Sequence, residues 1–227
     1  MVTPRYSKKM LTREKSVLCF GDSNTWGYVP LTAGRLIRAH RWPGILQQFL
    51  GEPYYVIEEG LNGRTTVFDE PFRDGRNART TLLAVLETHA PLDLLIIMLG
   101  TNDLKHHLNV SASESARGLG CLLQIALNSA SSFVKSSPKI LVIAPPRFGL
   151  LSGLMVHHFQ GAVARSAKLA AQYEQICMQY GCQFFDSNQV VAVAEDGIHL
   201  DAQGHSKLAL ALLPMVKSLV ADVDLAI

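Results

Sequence analysis

Apolar residues fall along this chain in short dense runs separated by longer amphipathic stretches. The runs at 16–20, 54–58, 92–99, 139–144 and 183–186 have strand length. Leu94 to Leu99 is apolar at every position, as in a strand covered on both faces. Between the runs, the stretches near 42–50, 77–89, 111–135, 161–181 and 201–221 read as helices. Ser111 with Glu114 three residues on forms a capping box. Asp201 can cap the last helix, where Leu208, Leu212, Met215, Val216 and Leu219 recur at helical spacing. Strands alternating with helices pair in parallel through right-handed crossovers. The pattern predicts an α/β fold with a five-stranded parallel sheet in the order 2-1-3-4-5 and helices on both faces. Two long connections stand out, 27–41 and 145–161. The second carries Pro145-Pro146, Gly149 and Gly153 and follows a strand's carboxyl end, so it is placed to reach over a site or an interface.

Ligands bind an open parallel sheet at its carboxyl edge, and the chemistry-bearing residues of this chain gather there. The first strand runs into Gly21-Asp22-Ser23-Asn24-Thr25-Trp26-Gly27. That turn exposes Ser23 beside the unpaired backbone N–H groups of a starting helix, as an acyl-transfer nucleophile requires. After the second strand comes Glu58-Glu59-Gly60-Leu61-Asn62-Gly63-Arg64-Thr65-Thr66, whose glycines let backbone approach a ligand closely. The third strand ends in Gly100-Thr101-Asn102-Asp103. Asp196-Gly197-Ile198-His199 precedes the last helix. Together these segments supply a nucleophile (Ser23), a base (His199), a carboxylate to orient it (Asp196), and three oxyanion donors: the N–H groups of Ser23 and Gly63 and the amide of Asn102.

Each residue also has a plainer reading. Ser23 could only cap a helix, Asn102 could be a turn residue, and Asp196-x-x-His199 could be two metal ligands. Asp22 reads as a cap and Asp103 as an organiser of its turn. The adjacent pairs His106-His107 and His157-His158 point in different directions on a helix, and no His-x-x-x-His supports a metal site. Asn24, Tyr28, Thr101 and Lys105 are candidates for the substrate pocket because each lies within a few residues of a reacting group. Trp26, one helical turn from Ser23, faces either the core or the pocket.

The four blocks, in this order and spanning residues 17 to 205, resemble the SGNH (GDSL) hydrolases. The longer stretches Cys19 to Pro30, Val56 to Thr66 with its Arg-Thr-Thr, and Pro91 to Asp103 are similar to the arylesterase/acyltransferase (perhydrolase) branch. Asn24 departs from the leucine often found there. Gly60 could in principle be the oxyanion glycine, but Arg64-Thr65-Thr66 aligns the block on Gly63. The resemblance implies a flavodoxin-like three-layer α/β/α sandwich and the Ser23, His199 and Asp196 roles above. It also implies short acyl chains, aryl or alkyl leaving groups, acyl transfer to alcohols, and a homo-oligomer. A carbohydrate O-acetylesterase would use the same triad with a different leaving-group pocket. A flavodoxin-like binding module without catalysis is the alternative of another class. No cofactor or metal is expected.

Composition narrows the rest. The 227 residues are 48% hydrophobic and 18% charged, with a net charge of +2. That fits one domain over 16–222 behind a basic tail, 1–15, which carries Arg5, Lys8, Lys9, Arg13 and Lys15. It argues against a nucleic-acid partner, which needs a concentrated basic face. No apolar run is long enough to span a membrane. Cys19, Cys121, Cys177 and Cys182 show neither framework nor Cys-x-x-Cys spacing, as expected of a cytoplasmic protein acting on a small-molecule ester.

Overall fold

A computed structural model describes residues 13–130 and 136–221. Five strands, β1 (Lys15–Gly21), β2 (Tyr54–Gly60), β3 (Leu94–Met98), β4 (Lys139–Ala144) and β5 (Gln183–Asp186), form one sheet in the order β2-β1-β3-β4-β5. Every neighbouring pair is parallel. The chain therefore leaves β1 first towards one edge and later returns to build towards the other. This reversal opens a crevice at the carboxyl ends of β1 and β3.

The helices are α1 (Ser23–Trp26), α2 (Trp42–Leu50), α3 (Leu82–Thr88), α4 (Ala112–Leu127), α5 (Met155–His158), α6 (Val163–Ser166), α7 (Leu169–Tyr180) and α8 (Ala202–Val220). Strand side chains alternate between two cores. Val17, Cys19, Leu94, Ile96, Met98, Leu141 and Ile143 pack with Trp42 and Leu46 of α2 and Leu208, Leu212 and Val216 of α8. Leu18, Phe20, Leu95, Ile97 and Val142 pack with Leu82 and Leu86 of α3, Leu119 and Leu123 of α4, and Tyr173 of α7. This is the three-layer α/β/α arrangement. A one-residue slip of β1 would exchange its two buried sets, and burial of each large apolar side chain is worth about 1.5–3 kcal/mol.

Several boundaries differ from the periodic pattern, for local reasons. The stretch 77–89 splits, because Asn77 accepts the Arg79 N–H and starts a 3-10 turn, Ala78–Thr80, before α3. The helix expected over 111–135 stops at Leu127. There the side chains of Asn128 and Ser129 fold back onto the carbonyls of Gln124 and Ala126, and residues 131–135 lie outside the described part. The stretch 161–181 divides into α6 and α7. Of the basic tail, Arg5, Lys8 and Lys9 lie outside the described residues. Arg13 pairs with Asp93, and Lys15 opens β1. All four cysteines are free thiols. Among the described residues, no helix is long and apolar enough to cross a membrane.

Candidate active site

The turn after β1 is tight because Gly21 leaves no room for a side chain: a Cβ there would lie 2.1 Å from Thr25 Oγ1. Asp22 caps α1 by accepting the Asn24 N–H at 2.9 Å. Ser23 is then the first helical residue. Facing it, Asp196 closes its own loop by accepting the N–H groups of Ile198 and His199, both at 2.9 Å. The other Asp196 oxygen lies 2.6 Å from His199 Nδ1, and His199 Nε2 lies 2.9 Å from Ser23 Oγ. An ionised carboxylate only accepts, so Nδ1 carries the imidazole proton and Nε2 accepts from the serine hydroxyl. Burial pushes the Asp196 carboxyl up, but the hydrogen bond and charge of His199 with the two backbone N–H groups outweigh it, holding the group below its ordinary value. Asn24 locks the histidine segment to α1: its Nδ2 donates to the Ile198 carbonyl at 3.3 Å and its Oδ1 accepts the Leu200 N–H at 2.9 Å.

The opposite wall carries donors. Gly63 adopts a left-handed φ of 85° and Gly100 one of 116°, conformations that favour glycine. A Cβ at Gly100 would also strike the Tyr173 hydroxyl at 2.1 Å. Asn102 follows in a 3-10 turn, Asn102–Leu104. Its Nδ2 donates one hydrogen to the Arg64 carbonyl at 3.1 Å, which fixes the amide and leaves the second hydrogen available. Among the described residues, the N–H groups of Ser23 and Gly63 meet no protein acceptor. Asp103 ties the two donor loops together: it accepts the Thr66 N–H at 2.8 Å, the Thr66 hydroxyl at 2.7 Å and the Ser115 hydroxyl at 2.6 Å. Gly60 has a packing role, since a Cβ there would lie 2.2 Å from the Trp26 nitrogen.

Two buried carboxyls lie beneath the site. Burial raises Asp103 to about 6 against its three donors. Burial likewise raises Asp22 to about 6, opposed by the Asn24 N–H, His199, the Thr101 hydroxyl and Arg64. Asp22 Oδ2 and Thr101 Oγ1 are both buried, and among the described residues neither meets the full geometry of a hydrogen bond. Arg64 stacks 4.0 Å over the Phe20 ring and donates to the Gly21 carbonyl at 2.9 Å. Burial draws its pKa down to about 10, so it stays charged at neutral pH.

The model of the GDSL-like lipase/acylhydrolase family matches residues 19–207. The chain belongs to that family. Among solved structures it is similar to the native aryl esterase of M. smegmatis, at 38% identity over 90% of this chain and 99% of that one, with a TM-score of 0.88. It is also similar to Est24, a carbohydrate acetylesterase from Sinorhizobium meliloti, at 36% identity over 91% and 100%, with a TM-score of 0.88. A carbohydrate acetylesterase family member from the same organism is 38% identical over 91% and 99%, with a TM-score of 0.86. No match was found among curated protein sequences.

In this GDSL-family chain, the two walls enclose a cavity of about 240 Å³. Ser23, Gly63, Asn102 and His199 all reach it, as do Tyr28 and Lys105 from the pocket candidates. The Tyr28 ring centroid lies 4.3 Å from that of His199. Three pocket candidates do not line it. Asn24 is turned inward to clamp residues 198–200. Thr101 is buried under the turn, beside Asp22. Trp26 is covered by the Arg35 guanidinium, 4.7 Å over its ring. The sequence pattern missed Asn62, Arg73, His158 and the apolar group Leu154, Met155, Phe159 and Ile198, all in the lining. The only hint was the length of the 145–161 connection, which supplies four of these. Among the described residues, no cluster of metal-ligating side chains occurs.

Proposed function

We propose that this GDSL-family esterase is a serine-dependent carboxylic-ester hydrolase for short acyl chains. The hydrogen-bonded chain Ser23–His199–Asp196, ending on the cavity wall opposite Gly63 and Asn102, carries the reading. Ser23 Oγ attacks the ester carbonyl while His199 Nε2 takes its proton. The carbonyl oxygen becomes an oxyanion and receives hydrogen bonds from the Ser23 and Gly63 N–H groups and from Asn102 Nδ2. Asp196 stabilises the imidazolium. Collapse breaks the bond to the leaving group, which departs as an alcohol with the proton from His199. Water then repeats the sequence on the acyl-enzyme and releases the acid. The short-acyl reading rests on the resemblance to aryl esterases, and a cavity of about 240 Å³ over Ser23 has room for an acetyl group. Aryl acetates and acetylated sugars differ in the leaving group alone, and both suit this chemistry. Ser23→Ala should abolish labelling by a fluorophosphonate and lower kcat by about 10⁴-fold or more. Retention of most activity in that variant would overturn the mechanism.

Acyl transfer to alcohols is a second reading, favoured by the apolar lining from Leu154, Met155, Phe159 and Ile198. Such a wall holds an apolar alcohol next to the acyl-enzyme and solvates water poorly. Water competes at about 55 M, but well-oriented neighbours reach effective concentrations on the order of 10⁵ M. With an activated acetate and rising benzyl alcohol in buffer, benzyl acetate should accumulate beside acetate. If acetate alone forms up to the solubility limit, the protein is a plain hydrolase.

A further inference from the structure

We propose that the substrate carries a carboxylate, or an equivalent anion, which Arg73 binds at the junction of the catalytic cavity and a side recess. The inference rests on the esterase reading above and narrows its substrate class. Arg73 sits on a segment whose ends are pinned together. Thr65 pairs with Asn77, the Thr65 N–H donates to the Arg76 carbonyl at 2.9 Å, and the Ala78 N–H donates to the Thr65 carbonyl at 3.2 Å. The loop between them brings Arg73 back over Gly63. Its Nη1 would lie 3.1 Å from a Cβ built on that glycine. The guanidinium thus lies beside one of the proposed oxyanion donors, in the wall of the cavity.

Arg73 is exposed, and among the described residues its side chain makes no hydrogen bond or ion pair. Neither nearby acid pairs with it. The two oxygens of Glu70 are taken by Lys105 Nζ and by His107 Nε2, the latter at 2.9 Å. Asp74 is exposed and outside the cavity lining, and among the described residues its carboxylate forms no ion pair. Among the described residues, no carboxylate lines the catalytic cavity, whereas Arg73 and Lys105 both do. A side recess of about 190 Å³ opens past these two residues and His158, with Phe72, His107 and Glu70 behind them, the Glu70 charge being met by Lys105 and His107. Asn62 lies on the same cavity and buries an amide oxygen with no partner, so a flip of its amide could offer either acceptor or donor. An unpaired guanidinium with its fork of donors, facing a cavity free of carboxylates, selects planar anions through charge-assisted bonds. A carboxylate there would extend from the ester towards the recess, several ångströms from the scissile carbonyl, and leave the donors of the reacting oxygen free.

Matched esters differing in that one charge test this. On the leaving-group side the pair is 4-acetoxybenzoate and its methyl ester. On the acyl side it is the 4-nitrophenyl esters of succinate and butyrate. The readout is the ratio of kcat/KM, anionic over neutral, which cancels general damage to the enzyme. At least one pair should favour the anion, mainly through KM. Arg73→Gln should lower that ratio on the order of tenfold, Arg73→Lys should restore part of it, and Arg73→Glu should turn the preference towards the neutral ester. Binding of the same acid and methyl ester to Ser23→Ala gives a readout that needs no turnover, and Arg73→Gln should erase the difference there too. If the ratios are the same in wild type and Arg73→Gln, or if Arg73→Gln lowers kcat equally for charged and neutral esters, the anion site is wrong. Failure of the esterase reading looks different: no ester is turned over and fluorophosphonate does not label Ser23, while Ser23→Ala still prefers the acid.

Discussion

Asn24, Thr66, Asp103 and Asp196, in the floor behind the cavity lining, are buried and each makes two or more hydrogen bonds, whereas Leu150 and Leu154, in the 145–161 connection that roofs part of the cavity, are 92% and 70% exposed. The two regions do meet. The Gly149 N–H donates to the Gly197 carbonyl at 3.0 Å, and the Ser152 hydroxyl donates to the Glu195 carbonyl at 2.7 Å. The far end of the roof is pinned as well, where Phe159 packs edge-on against Phe148 at 5.1 Å. Between these anchors the backbone hydrogen bonds of the tip are local to it, as from the Met155 N–H to the Ser152 carbonyl at 3.1 Å and from the Phe159 N–H to the Met155 carbonyl at 3.0 Å. Reciprocal buried hydrogen bonds fix atoms to within tenths of an ångström, because an unpaired polar group there is costly. Exposed apolar side chains give area without direction. A reaction centre needs the first kind of construction and a selector of substrates can use the second. Perturbing the floor should therefore alter rate, and perturbing the roof should alter preference.

The sharpest break in the floor is Asn102→Ala. The floor holds this amide by one hydrogen bond to the Arg64 carbonyl, so removing it takes away a fixed donor and one buried hydrogen bond. A loss of roughly 10²–10³ in kcat with a smaller change in KM is expected for one oxyanion donor. Steady-state kinetics on an aryl acetate reads the split. A change confined to KM would move Asn102 from the chemistry to binding.

A second tie of the floor is sensitive to pH. His205, fully buried near the start of α8, accepts the Trp42 N–H on Nδ1 at 3.2 Å and so joins α8 to α2 just behind the segment bearing His199. Burial lowers its pKa from 6.5 to about 4, with Asp201 opposing and His199 and Arg41 adding to the shift. A depressed histidine contributes stability that is present above its unfolded value and lost as pH falls through the folded one. The window runs from pH 6.5 down to about 4, and the loss is on the order of 3 kcal/mol. Asp22 and Asp103, raised from 3.8 to about 6, act in the opposite sense over an overlapping range, so the wild-type curve alone mixes the signs. His205→Asn keeps an acceptor for Trp42 and removes the titration. Denaturant unfolding at pH 7 and pH 4.5 should show that the variant loses less stability than wild type on acidification. Equal losses would place the histidine's charge outside the folding balance.

The same contrast explains what the sequence revealed. The strands and helices were legible from local signals, dense apolar runs and the caps at Ser111 and Asp201, whereas the meeting of Ser23 with His199, 176 residues apart, was expected from the placement of their segments at the sheet's carboxyl edge and from the family resemblance. Asp103 was readable as the organiser of its turn, but not its grip on Thr66 and Ser115, which are far away in sequence. Trp26 was ambiguous because α1 is one turn long, too short for a periodicity to choose a side. Arg35, which covers it, comes from the next connection. Arg73 and His158 carried no signal, since an exposed charge in a loop looks alike wherever the loop goes. Its position depends on the Thr65–Asn77 pairing that closes the loop.

The smallest expected effect belongs to the tip of the roof. Leu154 lines the cavity while most of its side chain remains in solvent, so its truncation costs little folding energy and removes only the part that a substrate would cover. At about 25 cal/mol per Å² of apolar surface, a few tens of Å² of lost contact is worth under about 1 kcal/mol. Leu154→Ala should therefore lower kcat/KM for 1-naphthyl acetate about two- to fivefold. Methyl acetate is too small to reach from Ser23 to the roof and should respond less. The ratio of the two substrates is the measurement to make, on wild type, Leu154→Ala and Asn102→Ala together. Asn102→Ala should depress both esters alike and leave the ratio near its wild-type value, because the oxyanion is common to them. Should Leu154→Ala also leave the ratio unmoved, the roof would be a passive cover, and selection would rest with the polar wall around Arg73 and Lys105.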